Sequence, residues 1–351
     1  MRIGYSFWGF LGHGITDTPD GGRAHRRPFI DALLGRGHDV VFLQADRDRL
    51  EAADGCSARY AFDAGMPAID VLFLEWRWPV TGRSTTPCGA PGHTCDLHRQ
   101  ADLLRHYTTA RRTPTVIWDK DRQLPRDSHW RQDPAVAVCE AALAPSGGAR
   151  RLLFPVDDVL LDKTDPAGLA ARPRPLALGY AGSQYDRDEE FSRFLAPAAA
   201  RFSHQVAGKW ASAGRWPHVT FTGRIPFPDV ARLYGQSLAT ILLLPARYQA
   251  AGQMTQRLFE AVLEGCLPLA PASIRYASRF VPAELVVADG AAVIEQVTRL
   301  RGIAGTGEHA RLIAACLARL ELFRLSRQAT VLDAVLDQIT ARPARGRAAS
   351  R

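Results

Sequence analysis

Arg257 and Glu260 carry the most specific chemistry in this 351-residue chain. Three residues apart on a helix, they share one face. A guanidinium there can grip a diphosphate through two hydrogen bonds, and a carboxylate one turn on can accept from ribose hydroxyls. The surrounding segment supplies the elements such a pair needs. Phe221-Thr222-Gly223 reads as a strand ending in a tight glycine turn, a short helix follows, Thr240–Leu244 reads as a buried strand, and the next helix bears the pair and is closed by Gly265 and Pro268. This is the pattern of a nucleotide-sugar site, and it points to a transferase that uses an activated sugar. The plainer alternative is an exposed helical salt bridge, worth only ~0.2–0.5 kcal/mol.

Asp119, Lys120 and Asp121 directly follow a predicted strand at Thr115–Trp118. A carboxylate in the loop after a parallel strand is placed to take a proton from an attacking hydroxyl. A solvated turn is the competing explanation, and Asp119 rivals Asp121 for the role. Cys88, His93, Cys95 and His98 put four possible zinc ligands within eleven residues. Their spacing fits no standard knuckle, so the stretch is read as a plain loop and no metal is expected there. Glu75-Trp76-Arg77-Trp78 ends a strand and starts a long loop rich in Gly, Pro and Thr (Pro79–Gly92). Trp76 and Trp78 could cradle an extruded base, although tryptophans buried at a strand end are the commoner case. His13, His25, Arg26 and Arg27 belong to the same region and are candidates to touch an acceptor.

These groups need a scaffold, and the chain reads as α/β throughout. Ile3–Phe7, Val40–Leu43, Ile69–Leu74 and Thr115–Trp118 are short apolar strands. Between them lie helices through Phe29, Leu33 and Leu34, with Gly37 as C-cap, and around Leu97–Tyr107. Such alternation implies a parallel sheet covered on both faces. Asp162–Pro175 is polar and proline-rich and reads as a linker. The same grammar then restarts with Leu176–Tyr180, the Gly182-Ser183 turn and a helix over Asp188–Ala199. The expected domains are 1–165 for the acceptor, 176–305 for the nucleotide sugar, helices over 306–340 packing back across both, and a basic disordered tail at 341–351. Two Rossmann-like halves facing each other would make a cleft, with ligands at the carboxyl ends of the strands. The net charge is +8, and only Lys120, Lys163 and Lys209 are lysines. An arginine-rich surface for a polyanion and GC-rich codon usage account for this equally well. The scattered cysteines, the absence of a cleavable leader and the lack of a ~20-residue apolar run lead to the expectation of a reduced, cytoplasmic protein with no membrane partner, in a host cytoplasm if phage-encoded.

Four segments, in order, extend the reading. They are Asp121-Arg122-Gln123-Leu124-Pro125, Phe154-Pro155, Tyr180-Ala181-Gly182-Ser183, and Phe221-Thr222-Gly223-Arg224-Ile225-Pro226 followed by Thr255-Gln256-Arg257-Leu258-Phe259-Glu260. From about Thr113 to Leu300 the chain resembles the DNA β-glucosyltransferases of T-even phages, within the GT-B superfamily. Those two-domain enzymes move glucose from UDP-glucose to 5-hydroxymethylcytosine in duplex DNA. The resemblance implies an inverting transfer with Asp121 as catalytic base, Arg257 toward the diphosphate, Glu260 toward the ribose, Ile225 at the uracil edge, and Gly182-Ser183 as the turn approaching the phosphates. It also implies duplex DNA as partner and base flipping by the acceptor-side residues. A divalent cation is compatible with such a donor, but no motif requires one. One departure stands out: where the family has two arginines after the Gly-Ser turn, this chain has Gln184, Tyr185, Asp186, Arg187, Asp188, Glu189 and Glu190. Arg187 is the only arginine there, with Arg224 or Lys209 as possible supplements, and a different nucleotide sugar is one alternative. The other is a GT-B enzyme acting on a small natural product or a cell-surface acceptor.

Overall fold

The computed structural model describes residues 1–12, 14, 22–81 and 83–341. His13 and residues 342–351 of the expected tail lie outside that set. The chain forms two compact units that divide at Leu153–Phe154 and again at Leu325–Ser326, so the last helix belongs with the first unit.

In the first unit, β1 (Arg2–Ser6), β2 (Asp39–Phe42), β3 (Ala61–Phe62), β4 (Val71–Glu75), β5 (Thr115–Asp119), β6 (Val136–Glu140) and β7 (Arg150–Arg151) form one sheet. Its order is β3-β2-β1-β4-β5-β6-β7 and every pairing is parallel. Val71–Leu74 are fully buried, as an unbroken apolar run between two helical layers must be. The order reverses between β1 and β4, the place where open α/β sheets take ligands.

The second unit repeats the plan with β8 (Leu176–Ala181), β9 (His204–Ala207), β10 (Phe221–Gly223), β11 (Ser237–Ile241), β12 (Leu267–Pro271) and β13 (Val286–Val287), ordered β10-β9-β8-β11-β12-β13 and also parallel. Its reversal lies between β8 and β11. The ladder of β11 stops at Ile241 opposite Leu269. The apolar run expected as strand to Leu244 instead turns, with the Leu243 N–H donating to Ile241 O, and stays buried.

Asp162–Pro175 is not merely polar chain. It holds the end of the helix Asp158–Lys163 and a short helix Pro166–Ala170 whose Leu169 is buried. Asp165 caps that helix by accepting from the N–H groups of Ala167 and Gly168. Arg174 then donates to the carbonyls of Tyr234, Gly235, Ser237, Leu169 and Glu264, satisfying the ends of several helices at once. The helix Gly307–Leu320 stays with this unit, whereas Leu325–Thr340 docks on the first through Gln328, which accepts from Leu153 N at 2.9 Å, and Asp333, which pairs with Arg36 at 3.1 Å. No helix among the described residues is long and apolar enough to cross a membrane.

Candidate active site

At the carboxyl end of β8 the chain turns through Gly182 and Ser183. A Cβ on Gly182 would stand 2.4 Å from Arg257 Nε, and one on Gly208 (φ +132°) would stand 2.3 Å from Gly182 O. Gly208 therefore requires glycine, whereas a side chain at Gly182 would push the Arg257 guanidinium aside, so the backbone at Gly182 is open to whatever approaches Arg257. Arg257 lies at the start of the helix Gln256–Leu263, donates from Nε to Ala181 O at 2.6 Å and from Nη1 to Thr255 Oγ1 at 3.3 Å, and lies over the Tyr180 ring at 5.5 Å. Lys209 N donates to Ser183 Oγ and Trp210 Nε1 to Gly182 O, which fixes the turn from the β9 side.

Glu260 follows one turn after Arg257. Burial pushes its carboxyl up to about 7, against the opposing pull of Arg257. Among the described residues no donor hydrogen-bonds this carboxylate. A half-buried carboxyl raised by burial next to a cation is suited to ligand hydroxyls. Ile225 packs on the cluster of Ala181, Ala207, Leu233, Tyr234, Ala261 and Cys266, which underlies both the turn and this helix. The structure thus brings Gly182, Ser183, Ile225 and the helix bearing Arg257 and Glu260 together around this cluster. Gly265 (φ +74°) does close the helix, but Pro268 does not take part, because it lies within β12.

Arg187 is buried and turned inward, donating from Nη1 to Tyr180 Oη and from Nε to Tyr185 O, and burial lowers its pKa. It supports the Tyr180 platform beneath Arg257. Two of its acidic neighbours are engaged elsewhere: Asp186 with Arg247 at 2.7 Å, and Asp188 with Arg215 at 2.7 Å and with Gln184. Arg224 is exposed after Gly223. Tyr180 stood in the Tyr180-Ala181-Gly182-Ser183 segment without a role of its own, and Gly208 was not singled out from sequence; the signal available was a second glycine ending the strand beside Gly182.

In the first unit the two rival carboxylates separate. Asp119 is fully buried and accepts from the N–H groups of Gln123 (2.8 Å) and Leu124 (3.0 Å), with its carboxyl pushed up to about 6 by burial. It closes the turn. Asp121 is only half-buried and stands between two anchored cations. Lys120 Nζ lies 2.5 Å from the fully buried Glu75, and Arg122, in the left-handed region at φ +55°, pairs with the fully buried Glu140. Strain at a non-glycine residue held by a buried partner is a feature of functional loops.

Glu75 also takes Arg26 through Nε (2.8 Å) and Nη2 (2.6 Å) and the Tyr5 hydroxyl at 2.8 Å. Arg26 is wholly buried, so this guanidinium is an internal cation of the strand ends and not an exposed contact for an acceptor, as was expected of it. His25 is likewise buried, edge-on to Trp118. Arg77 is drawn inside to Ser6 Oγ and Phe7 O, and burial lowers its pKa to about 10. Trp76 packs on the first unit's core, while Trp78 is half-buried and T-stacked on Trp8 at 4.5 Å. The structure therefore does not gather His25, Arg26, Trp76 and Trp78 into one exposed surface.

Two Rossmann-type parallel sheets with these strand orders match the GT-B fold of glycosyltransferases. Residues 187–331 match the family described as glycosyl transferase-like, the part of the chain that carries Arg257 and Glu260. No curated protein sequence matches the chain. Among solved structures it is similar to the T4 phage β-glucosyltransferase in complex with UDP-glucose (13% identity, 96% of this chain and 100% of that one, TM-score 0.64). It is also similar to Anabaena Alr3699/HepE in complex with UDP-glucose (13%, 96% and 99%, 0.56) and to a glycosyltransferase from Rickettsia africae (12%, 96% and 98%, 0.56).

Proposed function

We propose that the protein is an inverting glycosyltransferase that takes glucose from UDP-glucose. The observation that carries this is the half-buried Glu260 carboxyl, raised by burial, one turn from an Arg257 set against Gly182. Arg257 would bind the diphosphate, with Arg224 and Lys209 as further cations, Glu260 would accept from the ribose hydroxyls, and the backbone at Ile225 would meet the uracil edge. Asp121 would act as the base that takes the acceptor proton while the acceptor oxygen attacks the sugar's C1 from the side opposite the departing UDP. The UDP and UDP-glucose complexes of the similar solved structures support this donor. One of the T4 complexes also holds Mn2+, and a divalent cation at the diphosphate is compatible with the residues here.

The acceptor we propose is a hydroxymethylated base in duplex DNA, supported by the four-segment resemblance and by the end-to-end likeness to the T4 DNA-modifying enzyme. The burial of Arg26 and His25 favours a second reading, a small-molecule or cell-surface acceptor, because it removes two of the groups that would hold a DNA strand. Incubation with radiolabelled UDP-glucose and hydroxymethylated or plain duplex separates the two. Label entering only the modified duplex supports DNA. UDP-glucose binding without any label in DNA at low salt overturns it in favour of the second reading, since a duplex-binding enzyme would be most active there.

A further inference from the structure

We propose that Cys88, His93, Cys95 and His98 form a zinc site that orders the loop between β4 and the helix Asp96–Leu103. Spacing in sequence (C-x4-H-x-C-x2-H) does not suggest it, but one ligand atom from each of the four lies within 4.8 Å of all the others. Tetrahedral zinc with two sulfurs at about 2.3 Å and two nitrogens at about 2.0–2.1 Å sets ligand–ligand separations of roughly 3.3–3.8 Å. Closing on an ion therefore shortens the widest edge by about 1.5 Å at most. The edge from Cys88 Sγ to His98 Nδ1 is already 3.3 Å.

The imidazole of His93 is arranged as a metal ligand would be. Its Nδ1 lies 3.2 Å from Thr86 Oγ1, while its Nε2 is buried and has no hydrogen-bond partner among the described residues. Donation of Nδ1–H to Thr86 fixes the tautomer that leaves the Nε2 lone pair for the ion, the outer-shell arrangement usual for metal-bound histidine. Cys95 occupies the N-cap position of the helix Asp96–Leu103 yet caps nothing with its side chain, and His98 projects from the first turn.

The loop has a physical need for such a centre. Among the described residues of 79–94 none is buried, Gly89 (φ +85°) and Gly92 (φ +77°) are left-handed, and its backbone is tied mainly by short turns, closed by Thr94 N donating to Arg83 O at 2.8 Å. A long connection with no buried residue among those described has little to offset its ordering entropy. Two thiolates balance the charge of Zn2+, and binding releases the thiol protons. The exposure of Cys88, Cys95 and His98 gives the ion an entry path.

The test uses the full, tag-free chain, stripped with a chelator under reducing conditions and titrated with Zn2+ against a chromophoric competitor. The expected result is about one zinc per chain, bound more tightly than micromolar, with near-complete loss in Cys88→Ser and Cys95→Ser. Co2+ in place of zinc should give the visible bands of a tetrahedral dithiolate site, and Thr86→Val should weaken zinc about 10-fold while leaving the circular dichroism unchanged. If the serine variants do not fold, the wild-type titration and cobalt spectrum still decide. Binding no tighter than micromolar, a cobalt spectrum without thiolate bands, or a Cys88–Cys95 disulfide in place of metal would overturn the proposal.

Discussion

Replacing Glu260 with Gln is expected to stabilise the protein above neutral pH while weakening its hold on UDP. Burial raises the carboxyl from 4.5 to about 7, a rise of about 2.5 at about 1.36 kcal/mol per pKa unit, so holding the group ionised in the folded chain costs about 3 kcal/mol. The folded state binds the proton more tightly than the unfolded one. The cost is therefore absent below about pH 4.5, grows as pH rises toward 7, and is full above that. Glutamine keeps the shape and carries no charge, so the variant should gain up to about 3 kcal/mol over wild type at pH 8 and nothing near pH 4.5. Paired urea denaturations at pH 5, 6, 7 and 8 measure the difference, from which other titrating groups cancel. At pH 8 the same variant should bind UDP about 10- to 100-fold more weakly, since a hydrogen bond to a charged group is worth about 1.5–3 kcal/mol. A Gln variant no more stable than wild type at pH 8, or a difference flat in pH, would refute the picture of a carboxylate kept desolvated for a ligand.

Gly182→Ala should leave the melting temperature nearly unchanged but weaken UDP about 10-fold or more, because the new Cβ, 2.4 Å from Arg257 Nε, forces the guanidinium off Ala181 O; calorimetric titration reads it. Asp121→Asn should cut transfer by about 100-fold or more with UDP affinity intact, whereas Asp119→Asn should lower stability by about 1–3 kcal/mol, because its amide opposes the N–H of Gln123 or Leu124; turnover and denaturation separate the two. Arg26→Met should destabilise the fold by about 3–5 kcal/mol, since it strips a buried partner from Glu75. A stable Arg26→Met that had lost only DNA affinity would instead make Arg26 a contact residue.

Strands such as β4 and β5 were legible because a doubly covered parallel strand must be an unbroken apolar run, and the Arg257–Glu260 helix because its spacing and its preceding strand are local features. β12 was hidden by its prolines. Pro268 is tolerated because β13 begins pairing only at Ala270, leaving Pro268 without a ladder partner on that side. β6 was masked by its neighbour Pro134, and the helix Pro166–Ala170 by polar composition that in fact caps and ties other elements. On the acceptor side the sequence shows which residues carry charge but not which way they point. Arg26 was as plausible outside as inside until Glu75, 49 residues away, was seen to take it. The four-ligand loop is visible in the sequence but reads there as a plain loop, since its spacing matches no known pattern and the sequence does not show how the loop doubles back to bring the four side chains together.

The most direct measurement of the central claim, a UDP-sugar site built on Arg257 and Glu260, is a calorimetric titration of UDP-glucose into wild type and Arg257→Ala at pH 8. Saturable binding to wild type, weakened about 10- to 100-fold in Arg257→Ala, is the predicted result. No binding to wild type, or equal affinity in both, would contradict it and reduce the pair to a structural contact.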